Sequence, residues 1–154
     1  MFESKVKELL SQALDERSDL FLIDFSMDSG FRIRVIIDGD KGVTVDDCIA
    51  VSRQIEHNLD REEQDFSLQV MSAGVSEGLV HKRQYKKNLG RDLKVTLDNA
   101  QFEGVLEEVT ENGFKLQWEA REPKPIGKGK VTVVKTKDFV YEDVVKSEVV
   151  VKFN

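Results

Sequence analysis

Fourteen residues near the middle of the chain, HKRQYKKNLGRDLK (81–94), hold Lys82, Arg83, Lys86, Lys87, Arg91 and Lys94 against one acid, Asp92. Cations at that density can neutralise phosphate. On a short helix the i,i+4 spacing sets Lys82 beside Lys86 and Arg83 beside Lys87, a two-by-two patch next to Tyr85. The chemistry would be electrostatic contact with a nucleic-acid backbone. The same run would serve equally as a solvated helix face, and the residues alone leave the two readings level. A second basic group, Arg121, Lys124, Lys128 and Lys130, lies in REPKPIGKGK (121–130) and continues into Lys135 and Lys137. That stretch holds both prolines of the chain, Pro123 and Pro125, and reads as a long solvent-exposed excursion between strands. It is a contact loop for RNA or for an acidic protein surface, or else a disordered insertion.

Residues suited to catalysis are sparse. The two histidines, His57 and His81, are far apart, Cys48 is the single cysteine, and no zinc-ligand spacing occurs. Each histidine reads as a helix-surface residue. GKGKV (127–131) has Val131 where a phosphate loop needs Ser or Thr, and a strand pattern follows it instead of a helix. DGDKG (38–42) lacks the fifth-position ligand and the bidentate Glu of a calcium loop, so it reads as a strand-to-helix turn. Asp46 and Asp47 are adjacent on a predicted helix, do not share a face, and suit the helix N-terminus better than an acid–base pair. These observations point away from an enzyme: they yield no catalytic residues, no metal ligands and no cofactor site.

Two RNA-binding modules fit poorly. GDKG (39–42) is the bare G-x-x-G of a KH loop, but a strand precedes it and Asp40 stands where phosphate would lie. The expected open sheet face, Asp24, Ser26, Arg32, Arg34, Ser67 and Gln69, has no aromatic platform for bases.

The elements that would position these residues follow from periodicity. Phe2, Val6, Leu9, Leu10 and Ala13 fall at helical spacing over 2–14. Phe21, Ile23, Phe25 and Met27 alternate, Asp28-Ser29-Gly30 turns the chain, and Phe31, Ile33, Val35 and Ile37 alternate again, which predicts a hairpin. A second helix follows over 42–59, with Thr44 as N-cap, Asp47 completing a near capping box, and Cys48, Ile49, Ser52, Ile55 and Leu59 as the buried stripe. FSLQVMS (66–72) is a third strand with Phe66, Leu68 and Val70 on one face. The α-β-β-α-β order predicts a small sheet with helices on one face. After a short helix over 81–88, five strand patterns (92–97, 101–109, 113–120, 130–136 and 147–153) predict a small all-β barrel, which would remove exposed edges. The fold class is therefore α+β: a domain over 1–80, then a barrel domain over 81–154.

The chain has 154 residues and a net charge of −6, unevenly divided. Residues 1–80 hold 8 Lys/Arg against 17 Asp/Glu, a net of −9; residues 81–154 hold 15 against 12, a net of +3. An acidic half is a poor general binder of phosphate, so nucleic-acid contact should be local. No apolar run reaches the ~20 residues that span a bilayer. The opening MFESKVKELL is no secretory signal, and a lone cysteine suits a reducing compartment, so the expected location is cytoplasmic with no membrane partner.

The order of these motifs resembles the family of the bacterial ribosome maturation factor RimP, essentially end to end. The resemblance is carried by FRIRVIIDGDKGVTVDDCIAVSRQI (31–55), with its G-V-T-V-D-D-C block containing Asp46, Asp47 and Cys48. It continues in LQVMSAGVSEGL (68–79), with Ser72 and Gly74, and in QYKKNLGRDLKVTL and FEGVLEEVTENGFKLQW. It implies an α/β N-terminal domain and an SH3/Sm-like C-terminal barrel. It also implies a monomeric cytoplasmic assembly factor, without catalytic activity or cofactor. The implied partners are the free small (30S) ribosomal subunit or its precursor, small-subunit rRNA, and ribosomal protein twelve of that subunit. The family's linker usually reads S-P-G-L-D-R-P-L; here Ala73 and Gly78 replace prolines and Glu77 replaces the arginine, which predicts a looser hinge. The loop around 121–130 also looks longer than in many relatives. A rival reading is a stand-alone Sm-like RNA-binding chaperone, which would form a ring by pairing strand edges.

Overall fold

The structure, a computed structural model, describes residues 1–74 and 78–151. Contacts within the chain divide it into two compact units, Met1–Gly74 and Val75–Asn154.

The first unit runs α1 (Phe2–Asp15), β1 (Leu20–Met27), β2 (Arg32–Gly39), α2 (Val45–Glu56) and β3 (Ser67–Ser72). This is the α-β-β-α-β order the periodicity predicts. The strands form one sheet, β1-β2-β3, with β1 antiparallel and β3 parallel to β2. Parallel pairing needs a crossover, and α2 supplies it. Val6, Leu10 and Ala13 of α1 and Val51 and Ile55 of α2 pack with Leu20, Ile33, Val35, Ile37 and Phe66, so both helices cover the same sheet face. Each aliphatic side chain fully buried there is worth about 1.5–3 kcal/mol.

Two local expectations need refinement. Burial alternates through 21–27 as the sequence predicts, with Leu22, Asp24 and Ser26 exposed, but the pairing with β2 is not regular. The register shifts between Leu22 and Asp24, so Ile23 is a bulge residue. Phe25 then opposes Val35 and Met27 opposes Ile33 on the core side, whereas Phe21 opposes Asp38, out of phase. The buried stripe of α2 is also rotated. Val51 and Ile55 are fully buried and Cys48 half-buried, but Ile49 is 40% exposed, and Leu59 packs on the core from beyond the helix end. Arg17 and Asp47 form an ion pair at 3.5 Å, and Asp47, Val51 and Ile55 share one i,i+4 line. Burial of Val51 and Ile55 against the sheet sets which line faces inward, and the surface ion pair lies at the start of that same line.

The turn before β2 is built by one carboxylate. Asp28 Oδ1 accepts from the N–H groups of Gly30 (2.9 Å) and Arg32 (3.0 Å), and Asp28 Oδ2 accepts from Arg32 Nε at 2.6 Å. These bonds hold Phe31 at φ 58°, where its ring meets Phe2 edge-on at 5.6 Å.

The second unit runs α3 (Lys82–Lys87), β4 (Asp92–Thr96), β5 (Gln101–Val109), β6 (Gly113–Pro123), β7 (Lys130–Val140), a 3₁₀ turn (Tyr141–Asp143) and β8 (Lys146–Val149). The strands make one antiparallel sheet in the order β7-β6-β5-β4-β8. Its core is Tyr85, Leu93, Val95, Leu106, Phe114, Leu116 and Phe139. Among the described residues β7 and β8 do not pair with each other, so the hydrogen bonding gives an open five-stranded sheet where the sequence predicts a closed barrel. The fold is α+β. The last expected strand, 147–153, runs partly into residues outside the described ones.

The stretch 121–130 is not a long excursion. Pairing continues from Gly113↔Val140 to Pro123↔Lys130, so Arg121, Glu122 and Pro123 belong to β6 and Lys130 to β7. β5 stops pairing with β6 at Val105↔Gln117. Beyond that point β6 and β7 continue as a two-stranded ribbon capped by residues 124–129. Gly127 and Gly129 take φ of 87° and 97° there, and Lys124 N–H donates to Gly129 O at 3.1 Å. Alternating side chains along GFKLQWEAREP make the extension a strand despite its terminal proline, which strand ends and edges tolerate.

Candidate nucleic-acid interface

The basic cluster at 82–91 stands on α3 and the turn after it. The helix is set by its caps. His81 Nδ1 accepts from Arg83 N–H at 3.1 Å, and Gln84 Oε1 accepts from the N–H groups of His81 (3.0 Å) and Val80 (2.7 Å). His81 is thus the N-cap, a more specific role than a surface histidine, while His57 is the exposed C-cap residue of α2. Gln84, Tyr85 and Asn88 form the buried side, and Asn88 Nδ2 donates to Gln84 O at 2.7 Å.

Burial of that side leaves the cations outward. Lys86 and Arg91 are exposed, and Lys82, Arg83 and Lys87 are half-buried. Lys82 Nζ pairs with Glu111 at 2.8 Å. The Lys82 hydrogen bond, then the charges of Lys82 and Lys86, hold the Glu111 carboxyl below its ordinary range. Glu111 had no signal in local spacing, since 29 positions separate it from Lys82 in the chain. Tyr85, expected beside the patch, lies beneath it. Its ring stacks on Phe114 with centroids 4.8 Å apart, and its hydroxyl donates to the fully buried Ser147 Oγ at 2.8 Å. Burial pushes the Tyr85 phenol up, and the Ser147 bond opposes it.

The second cluster lies on the ribbon. Lys124 and Lys128 are exposed in the turn, and Lys130 opens β7. Arg121 reaches across the strands, donating to Thr132 Oγ1 at 3.0 Å and to Lys130 O at 3.4 Å. Lys135 pairs with Glu122 at 2.5 Å, and Lys137 lies over the Phe102 and Phe139 rings. The structure therefore puts the two basic groups on separate elements of the same unit, one on a short helix and one at a hairpin tip.

The family-motif residues of the first unit serve its architecture. Thr44 Oγ1 accepts from Asp47 N–H (3.1 Å), and Asp47 Oδ2 accepts from Thr44 N–H (2.9 Å), the capping box anticipated for this site. Those bonds, with Arg17 nearby, hold the Asp47 carboxyl below the usual range. Asp46 is exposed in the same first turn. Burial, then the Asp47 charge, pushes the Cys48 thiol up, which is unfavourable for a thiolate nucleophile. Ser72 ends β3 and Gly74 closes the first unit. The turn at DGDKG is tight: a Cβ at Gly39 would meet Gly42 O at 2.3 Å. Glu77 and the core of the expected hinge lie outside the described residues. Gly78, at the edge of that stretch, is described. Its φ is 85°, which proline cannot adopt, and Leu79 N–H donates to Ser147 O at 2.7 Å.

Comparison with known proteins supplies the family. Residues 5–76 match the family model described as the RimP N-terminal domain. The ribosome maturation factor RimP of Christiangramia forsetii is 53% identical over 153 residues, covering 99% of this chain and all of the relative. That of Flavobacterium psychrophilum is 48% identical over 152 residues, with 99% of each chain covered, and that of Cytophaga hutchinsonii 32% over 162 residues, with 98% and 97% covered. Identity at this level across both units, joined to the α-β-β-α-β unit and the capped D-D-C turn, places the chain in the RimP family of ribosome maturation factors.

Proposed function

We propose that this chain is a non-enzymatic ribosome maturation factor that binds the free precursor of the small (30S) subunit. It would favour correct folding of small-subunit rRNA and incorporation of ribosomal protein twelve. The observation that carries the reading is the end-to-end identity with proteins named ribosome maturation factor RimP. The cations of α3 and of the ribbon tip supply local phosphate contacts in an otherwise acidic chain. The acidic first unit repels RNA and offers a face to basic ribosomal proteins. A factor that binds one arrangement of the precursor more tightly than another shifts the population toward it, by tenfold for each ~1.4 kcal/mol of differential affinity. No cofactor is needed for such a role, and the working location is the cytoplasm.

The proposed organisation is two domains, 1–80 and 81–154, the second a partly open SH3/Sm-like barrel. The strand order, with β4 between β5 and β8 and a helix before it, supports that shape, as does the bulge at Glu107 that coils β5 against β6. The Sm-like ring is a second reading, favoured only by the edge strands β7 and β8. Against it, β7 carries Lys130, Lys135 and Lys137, the side chains that guard an edge from pairing. Light scattering at the mass of one chain would dispose of the ring.

Gradient sedimentation of a cell lysate tests the main reading. The protein should travel with free small subunits and be absent from translating ribosomes. Changing Lys82, Arg83, Lys86 and Lys87 to Glu should abolish the association; undiminished co-sedimentation of that variant would remove α3 from the interface.

A further inference from the structure

Between the entry to α3 and the approach to β8, the second unit has a cleft of about 400 Å³, within the roughly 300–1,000 Å³ range of small-ligand sites. Its walls come from Leu79, Val80 and Lys82 on one side and Tyr141, Val144, Val145 and Lys146 on the other. Two features make this more than a packing defect. Val80 and Val145 are 67% and 62% exposed at the cleft, and among the described residues neither belongs to the packed core of the unit. The polar groups of the floor are already occupied: the Tyr85 hydroxyl donates to Ser147 Oγ, and the Tyr141 hydroxyl reaches Thr110 O at 3.4 Å. The interior therefore favours a flat apolar face over a hydrogen-bonding ligand.

The rim has a different character. Lys82 and Lys146 line it, and Lys86 is near enough to act on Glu111. Lys82 pairs with Glu111 at 2.8 Å and Lys146 with Glu148 at 3.7 Å. Glu111 is 89% exposed, and such solvent-accessible pairs hold their lysines weakly enough to exchange for a phosphate. An aromatic and aliphatic slot flanked by exchangeable lysines matches one ligand chemistry well: a base with phosphates on either side.

We propose that this cleft is a single-nucleotide site, in which an unstacked base of single-stranded RNA enters between Val80 and Val145 and packs against Tyr141 while its flanking phosphates meet Lys82 and Lys146. The site rests on the reading of the chain as an RNA-binding assembly factor and adds to it the form of RNA engaged. A backbone-only binder would treat paired and unpaired RNA alike, whereas this slot takes only a base freed from its helix. Both tyrosine hydroxyls of the slot are engaged within the protein and its lysines are taken by phosphate, so stacking rather than base-edge hydrogen bonds holds the base and the site is tolerant of base identity.

The test is fluorescence anisotropy with labelled hexauridylate and with an RNA duplex of equal length, using the full chain. Wild type should prefer the single strand. Tyr141→Ala should weaken hexauridylate binding roughly five- to a hundredfold, the range for one lost base stack, and Tyr141→Phe should stay within about twofold of wild type. Because Tyr141 also packs in the core, Val80→Ser/Val145→Ser provides a second probe on exposed positions; it should weaken binding several-fold without altering the melting temperature. Wild-type affinity in both the Tyr141→Ala and the double variant overturns the proposal, as does equal binding of duplex. Light-induced crosslinking from Val145→p-benzoylphenylalanine in a small-subunit complex should label rRNA; a ribosomal protein labelled instead overturns it in favour of a protein ligand. Co-sedimentation without hexauridylate binding sinks the site and leaves the assembly role standing. Binding through the cleft without co-sedimentation does the reverse.

Discussion

Tyr85 and Ser147 form a buried hydroxyl pair whose two members are 62 positions apart, one on α3 and one on β8. Tyr85 is 3% exposed and Ser147 wholly buried, and among the described residues every buried side-chain polar atom has a partner. Tyr85→Phe would strip Ser147 of the donor on which its position depends, and Ser147→Ala would strand the phenol hydroxyl in the core. An orphaned buried hydroxyl costs about 1–3 kcal/mol, so each single variant should be less stable by that amount. Removing both groups leaves no orphan. The double variant should therefore lose no more than the worse single variant, a coupling of about 1–2 kcal/mol. For a unit of this size the ~1–3 kcal/mol of each single variant is a fall in melting temperature of roughly 4–24 °C. Urea unfolding followed by fluorescence of Trp118 measures it, since Trp118 is the single tryptophan and packs on Phe102 in the same unit. If the two single effects simply add in the double variant, the pair is not a coupled bond and the reasoning fails. The same bond has a pH signature. The folded Tyr85 pKa lies above its ordinary value of 10.0, so burial contributes stability that is complete below that value and is lost as pH rises through the folded pKa. Tyr85→Phe should flatten that alkaline loss, and with two tyrosines in the chain the phenolate absorbance resolves the remaining one.

Four other variants probe the first unit, the junction and the tip of the ribbon. Thr44→Ala should destabilise the first unit by about 1 kcal/mol through loss of the N-cap, read as a lower urea midpoint; an unchanged midpoint would mean the capping box is ornamental. Asp47 has a lowered folded pKa, so its contribution is present above 3.8 and disappears as pH falls through the folded value. Asp47→Asn should be less stable than wild type near neutrality and converge with it in acid, and parallel profiles would contradict the assignment. Gly78→Ala should cost more than about 1 kcal/mol, because φ is 85° and the new Cβ would lie 3.2 Å from Ser147 O. Gly127→Ala, at a similar φ with open space around it, should cost less in the same melting assay.

The contrast between these positions shows where sequence reading succeeds. The capping box at Thr44 and Asp47 was legible because both partners lie within four residues and the geometry of a helix end is local. The α-β-β-α-β order was legible for a similar reason, since periodicity reports which side of each element avoids water. The phase of α2 was not. Ile49 and Val51 are both apolar, and the line that faces inward is set by what α2 meets on the sheet and on α1, where Val51 and Ile55 are buried and Ile49 is not. Likewise the bulge at Ile23 depends on how β1 registers against β2, which alternation in one strand does not record.

The basic residues divide the same way. Their clustering on α3 and at 121–130 is a property of the chain, and so is the family resemblance, because both are written in residue type and order. What those residues stand beside is a property of the fold. Tyr85 moved from the patch into the core because α3 has one side to bury and the sheet needed an aromatic to close over Phe114. The expected exposed loop became a ribbon because β6 and β7 go on pairing past the point where β5 leaves them. The cleft that joins Val80 to Val145 had no sequence signal at all, since 64 intervening positions must fold before the two side chains meet. Composition and periodicity are sums over neighbours along the chain, so they determined the elements and the charge, while the order of the motifs over 31–55 and 68–79 carried the family resemblance. Register, helix rotation and convergence are set by contacts between distant segments, so only the tertiary structure decided them.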